Sequence, residues 1–432
     1  MCAQLLSTQP YKGTRDFYPD DMRLRNWFFG KIRESLELAS YEEYNGPMLE
    51  SLEIYIAKSG EEIANEQTYN FTDRGDRRLA IRPEMTPSVA RIVAAKLGEL
   101  NYPLKWFSIP NMYRYERPQR GRLREFWQLN VDIFGCDTYE ADLDVIESAI
   151  NVLRAFGADE TMFKVHINNR RFFNDVIAAI CKTDADGAKK VSKIVDKKNK
   201  IPREVYEKEL SELNIGAEQI ALIDSLYTMS VREATALAPD SVGTAELVSL
   251  FDMLERTGLD KYCVFDFGII RGLDYYTGTV FEVFDEAPEN NRAMFGGGRY
   301  DNLVGMFAKN AKISGVGYGM GDVTLENFLV THGLVPDLYN TKSKVLVTRF
   351  DDVPYEKYLE LADLLRQNGI TASVYVGTKK FGKQIDYAVK GHYSHVLIMG
   401  SSEAESGTVK IKDLNTREEK TVQISELISE LS

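Results

Sequence analysis

Cysteine is scarce in this 432-residue chain: Cys2, Cys136, Cys181 and Cys263 are its only four, and they lie far apart. Without close pairs there is neither a disulfide framework nor a cysteine-rich zinc site, and a reducing compartment is the simplest expectation. Histidine is equally rare. His166, His332, His392 and His395 form no H-E-x-x-H pattern, so no metal is expected on Cys or His, and one that took part would be held by carboxylates or phosphate. Positive charge is in deficit, 53 Lys+Arg against 65 Asp+Glu for a formal net charge of -12. This argues against a generally DNA-coating protein and leaves only local basic patches. No apolar run approaches the roughly 18 residues of a membrane span, and MCAQLLSTQPYKGTRDFYPDD lacks the basic-then-apolar order of a secretion signal. The expectation is a soluble, cytoplasmic protein with no membrane or DNA partner, long enough for two or three domains.

What is present falls into blocks. Residues 21–40 read as one amphipathic helix carrying Met22, Trp27, Phe28, Ile32, Leu36 and Leu38, and Pro47 then interrupts regular structure. NEQTYNFTDRGDRRLAIRPE suggests a hairpin turning at DRGD, followed by a helix capped at Thr86-Pro87 and running to about Leu100. Two long strands are predicted, KWFSIPNMYRYE and REFWQLNVDIFG, joined by the loop RPQRGRL; EADLDVIESAINVLRAFG is a helix with an acidic start. From about 170 to 256 the text is helical and lysine-rich and interrupts a β-rich domain, since strand patterns return at KYCVFDFGII and YYTGTVFEVF. The last ninety residues alternate short apolar strands (KVLVTRF, ASVYVG, HVLIMG) with helices near 354–369 and 379–390, then a hairpin and a closing helix, the rhythm of a small α/β domain.

Chemistry concentrates on the two strands. Alternation places Phe126, Gln128, Asn130 and Asp132 on one face of the second and Trp127, Leu129, Val131 and Ile133 on the other, with Met112, Arg114 and Glu116 in matching parity on the first. A solvated sheet face is the plain alternative. The loop adds Arg117, Arg120, Arg122 and Arg124 around Gly121. Guanidinium groups suit phosphate because their donors are fixed and permanently charged, so polyphosphate or RNA contact stands beside an ordinary surface charge run. A second cluster joins Arg271, Asp274, Tyr275 and Tyr276 of RGLDYYTGTVFEVF to Gly296, Gly297 and Gly298 of FGGGRYD, where the backbone can approach a ligand, or simply turn. Gly315, Gly317, Gly319 and Gly321 lack the dinucleotide fingerprint and instead make a flat strand surface against which a planar ring could lie.

Together these stretches resemble the histidyl-tRNA synthetases, a family of class II aminoacyl-tRNA synthetases, over essentially the full chain. KGTRDFYPDD and the segment around Pro47 resemble the dimer-forming first class motif, YRYERPQRGRLREFWQLNVDIFG the second, and RGLDYYTGTVFEV with GGGRYD the stretches characteristic of the histidine enzyme and its paralogue. The resemblance implies an α+β fold: a class II antiparallel sheet flanked by helices, with a helical insertion and a C-terminal α/β anticodon-binding domain. The expected division is 1–169 and 257–338 for the catalytic domain, 170–256 for the insertion that touches the tRNA acceptor arm, and 343–432 for the anticodon domain.

It also implies roles. Arg114 and Arg271 would be catalytic, flanking the ATP α-phosphate, with Glu116 near the adenine and Arg122 on the terminal phosphates. Histidine would be held by Glu84, Met85 and Thr86 at its ammonium end, by Gln128 and Arg271, by Asp132 at the imidazole, and by Tyr275 and Tyr276 lining the side-chain pocket. Gln119, Lys379, Lys380 and Lys383 would touch tRNA, and Mg²⁺ would arrive on the ATP phosphates. A homodimer through the N-terminal helix and the segment around Pro47 is expected from the apolar content of MRLRNWFFGKI and from the first class motif. The third class motif departs: Val323 and Thr324 stand where the usual form has Glu-Arg, after Asp322, a candidate helix-start or metal-proximal residue. The rival readings are the non-catalytic regulatory paralogue of ATP phosphoribosyltransferase, which typically lacks an anticodon domain, and an RNA-binding protein without activity.

Overall fold

The computed structural model describes residues 6–57, 66–195, 197–198, 201–269, 276–290, 292–309, 311–339 and 344–431. The chain divides into two compact units, Met1–Val335 and Pro336–Ser432.

The first unit opens with α1 (Pro19–Leu38). Pro19 fixes φ in the first turn, and the Asp21 carboxylate accepts the Tyr18 backbone N–H at 2.9 Å, so the acid satisfies an orphan donor and opposes the helix dipole. Phe28, Phe29, Ile32 and Leu36 recur at helical spacing and are buried, with Trp27 edge-on to Phe156. The apolar side of this helix therefore faces its own core, so its apolar content is no argument for a dimer interface. Leu38 is exposed.

Strands of the first unit are β1 (Glu42–Glu43), β2 (Leu49–Ser51), β3 (Tyr69–Thr72), β4 (Arg78–Ile81), β5 (Leu104–Ser108), β6 (Asn111–Tyr113), β7 (Glu125–Phe134), β8 (Phe163–Asn169), β9 (Cys263–Phe265), β10 (Thr279–Asp285), β11 (Ala293–Tyr300) and β12 (Gly315–Gly321). Eight form a sheet in the order β1-β5-β7-β12-β11-β10-β8-β9, with β6 also on β7. Only β1 with β5 and β8 with β9 run parallel. β2, β4 and β3 make a separate small sheet that includes the expected hairpin.

Three boundaries differ from the sequence reading. The strand expected from 105 to 116 breaks at Pro110, which has no N–H to donate and instead accepts the Gln128 N–H at 3.0 Å. The helix α2 (Thr86–Ala95) stops well short of Leu100, and Met85, with no side-chain cap, takes the N-cap place expected of Thr86. Among the described residues of KYCVFDFGII only β9 is strand, because the Asp266 carboxylate accepts the Gly268 N–H and turns the chain.

Helix α3 (Tyr139–Arg154) packs on the sheet. α4 (Arg170–Cys181), α5 (Ala185–Val195), α6 (Arg203–Glu212), α7 (Ala217–Ser225), α8 (Val231–Thr235) and α9 (Val242–Thr257) follow with no intervening strand among the described residues. Asn169 caps α4 by accepting from Arg171 and Phe172, Ser241 caps α9, and Gly258 ends it at φ 68°. Buried Phe172, Tyr206, Leu210, Ile223 and Leu254 belong to the same apolar cluster as Val131, Val165 and Phe281 of the sheet, so the helical stretch shares the sheet's core. α10 (Asp322–Thr331) follows β12 directly.

In the second unit, β13 (Lys344–Val347) lies parallel between β14 (Thr371–Val374) and β15 (His395–Ile398), and β16 (Thr408–Asp413) and β17 (Glu419–Gln423) extend the sheet antiparallel. α11 (Tyr355–Gln367) buries Tyr358, Leu361 and Leu365 against Val345, Val347 and Leu397, and α12 (Phe381–Lys390) covers Leu346 and Val396 through Ala388. This is the expected β-α-β pattern with its hairpin and closing helix.

Candidate active site

The polar face predicted on β7 is real and looks onto glycine. Asp132 pairs with Gly317 and that with Gly298; Asn130 pairs with Gly319, and that with Gly296 and then Glu282. The glycines form a flat floor between side-chain walls. At Gly319 a Cβ would sit 2.7 Å from Gln128 Nε2 and displace the end of that side chain. At Gly317 a Cβ would fall on the Asp132 carboxylate and the Val131 carbonyl.

Above this floor lies a cavity of about 170 Å³, lined by Glu84, Thr86, Arg114, Gln128, Asn130, Asp132, Tyr276 and Tyr300 with Gly296, Gly317, Tyr318 and Gly319. Asp132 is 4% exposed and accepts a short hydrogen bond from the Tyr300 hydroxyl. Burial first, and the charge of Asp132 second, hold the hydroxyls of Tyr300 and Tyr44 well above the ordinary tyrosine range, so both stay protonated beside the carboxylate. Arg114 is aimed: its Nε donates to the Pro83 carbonyl at 2.8 Å and its guanidinium lies 5.3 Å from the Phe126 ring centre. The terminal nitrogens form no ion pair among the described residues.

A larger cavity of about 1040 Å³ adjoins it, Glu282 being the cross-strand neighbour of Gly296. The arginine loop forms one side. Gln119 and Arg122 exchange backbone hydrogen bonds of 2.9 Å around Arg120 and Gly121, whose φ of 75° makes the tight bend. Arg122 reaches Glu116 at 3.6 Å. Thr324 and Asn327 of α10 face the same space, with Asp266, Glu282, Glu289, Asn290 and Arg292.

The structure thus brings together Arg114, Glu84, Thr86, Gln128, Asp132 and Tyr276 in one cavity and Gln119 and Arg122 in the next. Met85 is fully buried beneath Gly46 and lines neither. Arg271 and Tyr275 lie outside the described residues. Lys379, Lys380 and Lys383 belong to the second unit, where Lys380 is the N-cap of α12 and Lys383 pairs with Asp386 at 3.0 Å.

Of two further features, one escaped the sequence reading and the other stood in it only as a candidate helix-start or metal-proximal residue. Tyr300, directly after GGGR, is the partner of Asp132, while Arg299 beside it is buried and binds Asp142 at 2.6 Å, tying β11 to α3. The other is Asp322. Its carboxylate accepts the Trp127 backbone N–H at 3.0 Å and pairs with Arg15 at 2.6 Å, so it clasps α10, β7 and the N-terminal segment together. Burial raises its pKa despite Arg15.

A mostly antiparallel sheet bearing an arginine loop over a glycine floor, with a separate α/β unit, defines a class II aminoacyl-tRNA synthetase architecture. The comparisons agree: the histidyl-tRNA synthetase family model matches residues 13–322 and an anticodon-binding domain model matches 344–432. A histidine–tRNA ligase of Leptospira biflexa is 44% identical over 435 residues, covering 100% of this chain and 99% of its own. The chloroplastic/mitochondrial histidine–tRNA ligase of Arabidopsis thaliana is 35% identical, covering 98% of this chain and 86% of its own. The crystal structure of histidyl-tRNA synthetase from Nostoc sp. PCC 7120 superposes with a TM-score of 0.82 at 25% identity, covering 99% of both chains. The chain belongs to the histidyl-tRNA synthetase family.

Proposed function

We propose that the chain is a histidine–tRNA ligase that activates histidine with ATP and then transfers it to the 3′ end of tRNA(His). In the first step a carboxylate oxygen of histidine attacks the α-phosphorus and pyrophosphate leaves; in the second a terminal ribose hydroxyl of the tRNA attacks the acyl carbon and AMP leaves. Neither needs a side-chain nucleophile, so catalysis rests on positioning and on stabilising charge at the α-phosphoryl oxygens.

The observation that carries this reading is Arg114, its Nε anchored on Pro83, in the same small cavity as Gln128 and Asp132. A cation for the α-phosphoryl group thus stands beside a buried carboxylate able to accept an imidazole N–H. Glu84 and Thr86 receive the ammonium group, Tyr276 with Tyr275 lines the side-chain pocket, and Arg271 acts opposite Arg114. Glu116 takes the adenine end and Arg122 the terminal phosphates. Mg²⁺ accompanies ATP: the carboxylates Asp266, Glu282 and Glu289 that line the larger cavity are oxygen donors of the type it accepts, and it neutralises phosphate charge.

For tRNA, Gln119 on the arginine loop serves the acceptor end and Lys379, Lys380 and Lys383 the anticodon arm. The domain division of 1–169, 170–256, 257–338 and 343–432 goes with these assignments, as does a cytoplasmic location. A homodimer is also proposed, through the face near β2 and β3, where Met48, Leu49 and Phe71 are exposed. The regulatory paralogue is disfavoured by the anticodon-binding domain match and by relatives named as ligases along the whole chain. Histidine-dependent ATP–pyrophosphate exchange by the full chain tests the proposal without tRNA; no exchange at saturating histidine and MgATP refutes it.

A further inference from the structure

Resting on the reading that the larger cavity receives ATP, we propose that Arg292, seconded by Arg120, joins Arg122 in binding the β- and γ-phosphates of the nucleotide. Among the described residues that line this cavity, three guanidinium groups are available: Arg120, Arg122 and Arg292. Arg122 leans to Glu116 and Arg120 donates to the Asn290 side-chain oxygen at 3.1 Å. Arg292 is exposed, and its guanidinium has no ion pair or side-chain hydrogen bond among the described residues.

Its head is free while its base is fixed. Two residues before it, Asn290 is held by Arg120 and by Asp285, to which its Nδ2 donates at 2.6 Å; the Arg292 N–H itself donates to the Asn290 carbonyl at 2.8 Å. Two residues after it, the Met294 carbonyl accepts the Thr324 hydroxyl at 2.8 Å. That bond also disposes of Thr324: its proton is directed to the Met294 and Gly321 carbonyls and is not offered to an anion.

α10 therefore presents only the neutral Thr324 and Asn327 to a cavity that also holds Asp266, Glu282 and Glu289. Asp266 is already paired with His166 at 2.8 Å, and a cation on the β11 side gives a polyphosphate entering there a partner opposite the arginine loop. Arg292 is the group so placed. It precedes Gly296, on the floor of the small cavity, by four residues, roughly 13 Å along an extended chain. An arginine side chain and a triphosphate pointing away from Arg114 together bridge that span, and the guanidinium fork matches phosphate oxygens in pairs.

Arg292→Gln, Arg120→Gln and Arg292→Gln combined with Thr324→Arg test the assignment in the full chain. In ATP–pyrophosphate exchange without tRNA, Arg292→Gln is expected to raise the KM for ATP about tenfold while the KM for histidine stays within about twofold, and Arg120→Gln to raise it less. Thr324→Arg, returning a cation to the opposite wall, recovers part of the loss. An Arg292→Gln enzyme with the parent's KM for ATP overturns the proposal, as does a defect confined to tRNA charging. A parent without exchange refutes the functional reading instead. Calorimetry with MgATP then still decides: about tenfold weaker binding by Arg292→Gln supports the assignment, and equal affinity overturns it.

Discussion

Replacing Asp132 by asparagine isolates the charge that is proposed to read the imidazole. Size and shape are kept, and the amide oxygen can still accept the Tyr300 hydroxyl, so the wall of the cavity keeps its form. What changes is the strength of the bond to a bound imidazole N–H, from one made to a carboxylate to one made to an amide. At a site only 4% exposed, with Tyr44 and Tyr300 both holding their protons, no water or mobile cation easily replaces it. Loss of a charge-assisted hydrogen bond in such a place costs about 1.5–3 kcal/mol, which is roughly a 10- to 150-fold rise in the histidine Kd. Arg114 and the arginine loop are untouched, so ATP affinity is expected to stay within about twofold. Calorimetry with each ligand separately, accompanied by a urea melt, reads the three quantities. Equal losses for histidine and ATP, or histidine affinity unchanged in a protein of parental stability, would refute the reasoning.

Other perturbations address the surroundings. Gly317→Ala drives a methyl group into the Asp132 carboxylate and the Val131 carbonyl; it is expected to destabilise by about 1–3 kcal/mol and to abolish histidine binding, seen by urea unfolding and calorimetry. Arg15→Ala leaves the buried Asp322 carboxylate without its cation, a loss of about 3 kcal/mol at neutral pH. Asp322's pKa is already raised in the fold and rises further in this variant, so the deficit relative to the parent should shrink as pH falls and the carboxyl protonates; a pH-independent deficit in urea melts counts against it. Neutralising Lys379, Lys380 and Lys383 together should lower the salt slope of tRNA binding by about two to three units while exchange is unaffected. Burial pushes the Cys181 thiol up to about 11 and the Cys263 thiol to about 12, so mass spectrometry after iodoacetamide at pH 8 should find both unlabelled until the protein is unfolded.

Much of the site was legible because period-2 alternation is a strong signal on a long strand. Gln128, Asn130 and Asp132 could be placed on one face, and the alternating glycines read as a flat strand surface, without knowing which strand lay next to either. Register was not legible, and register makes the site: that Gly317 lies opposite Asp132, and Gly319 opposite Asn130, depends on pairing between strands some 185 residues apart in the chain. Amphipathic spacing found α1 but could not say whether its apolar face met a partner or its own sheet. Boundaries failed where backbone chemistry overruled the pattern, at Pro110 for want of an N–H and at Asp266 through a local hydrogen bond. The arginine loop stood out by composition, whereas Arg292, a single cation beside a glycine-rich strand, carried no pattern of its own.

The N-terminal KGTRDF stretch is tied to the helix that carries the altered third motif. The Gly13 carbonyl accepts the N–H groups of Arg124 and Glu125, at 2.8 and 3.1 Å, at the base of the arginine loop. Gly13 has φ 88°, and a Cβ on it would meet Arg124 Cγ at 2.8 Å, so only glycine brings the chain so close. Two residues on, Arg15 reaches Asp322, and Phe17 meets the Trp127 ring edge-on at 5.3 Å while Arg25 lies over both rings. One short segment therefore grips the loop that carries Arg122, the strand that carries Gln128 and the helix that carries Thr324. Asp322 accepts from Arg15 and from the Trp127 N–H at the point where β7 stops pairing with β12, since Gly321 opposite Gln128 is the last registered pair. A carboxylate at the start of α10 thus fixes the wall of the larger cavity by a buried clasp. That wall then needs no cation of its own for rigidity, and the charge that faces the phosphates can come from Arg292 on β11's edge instead.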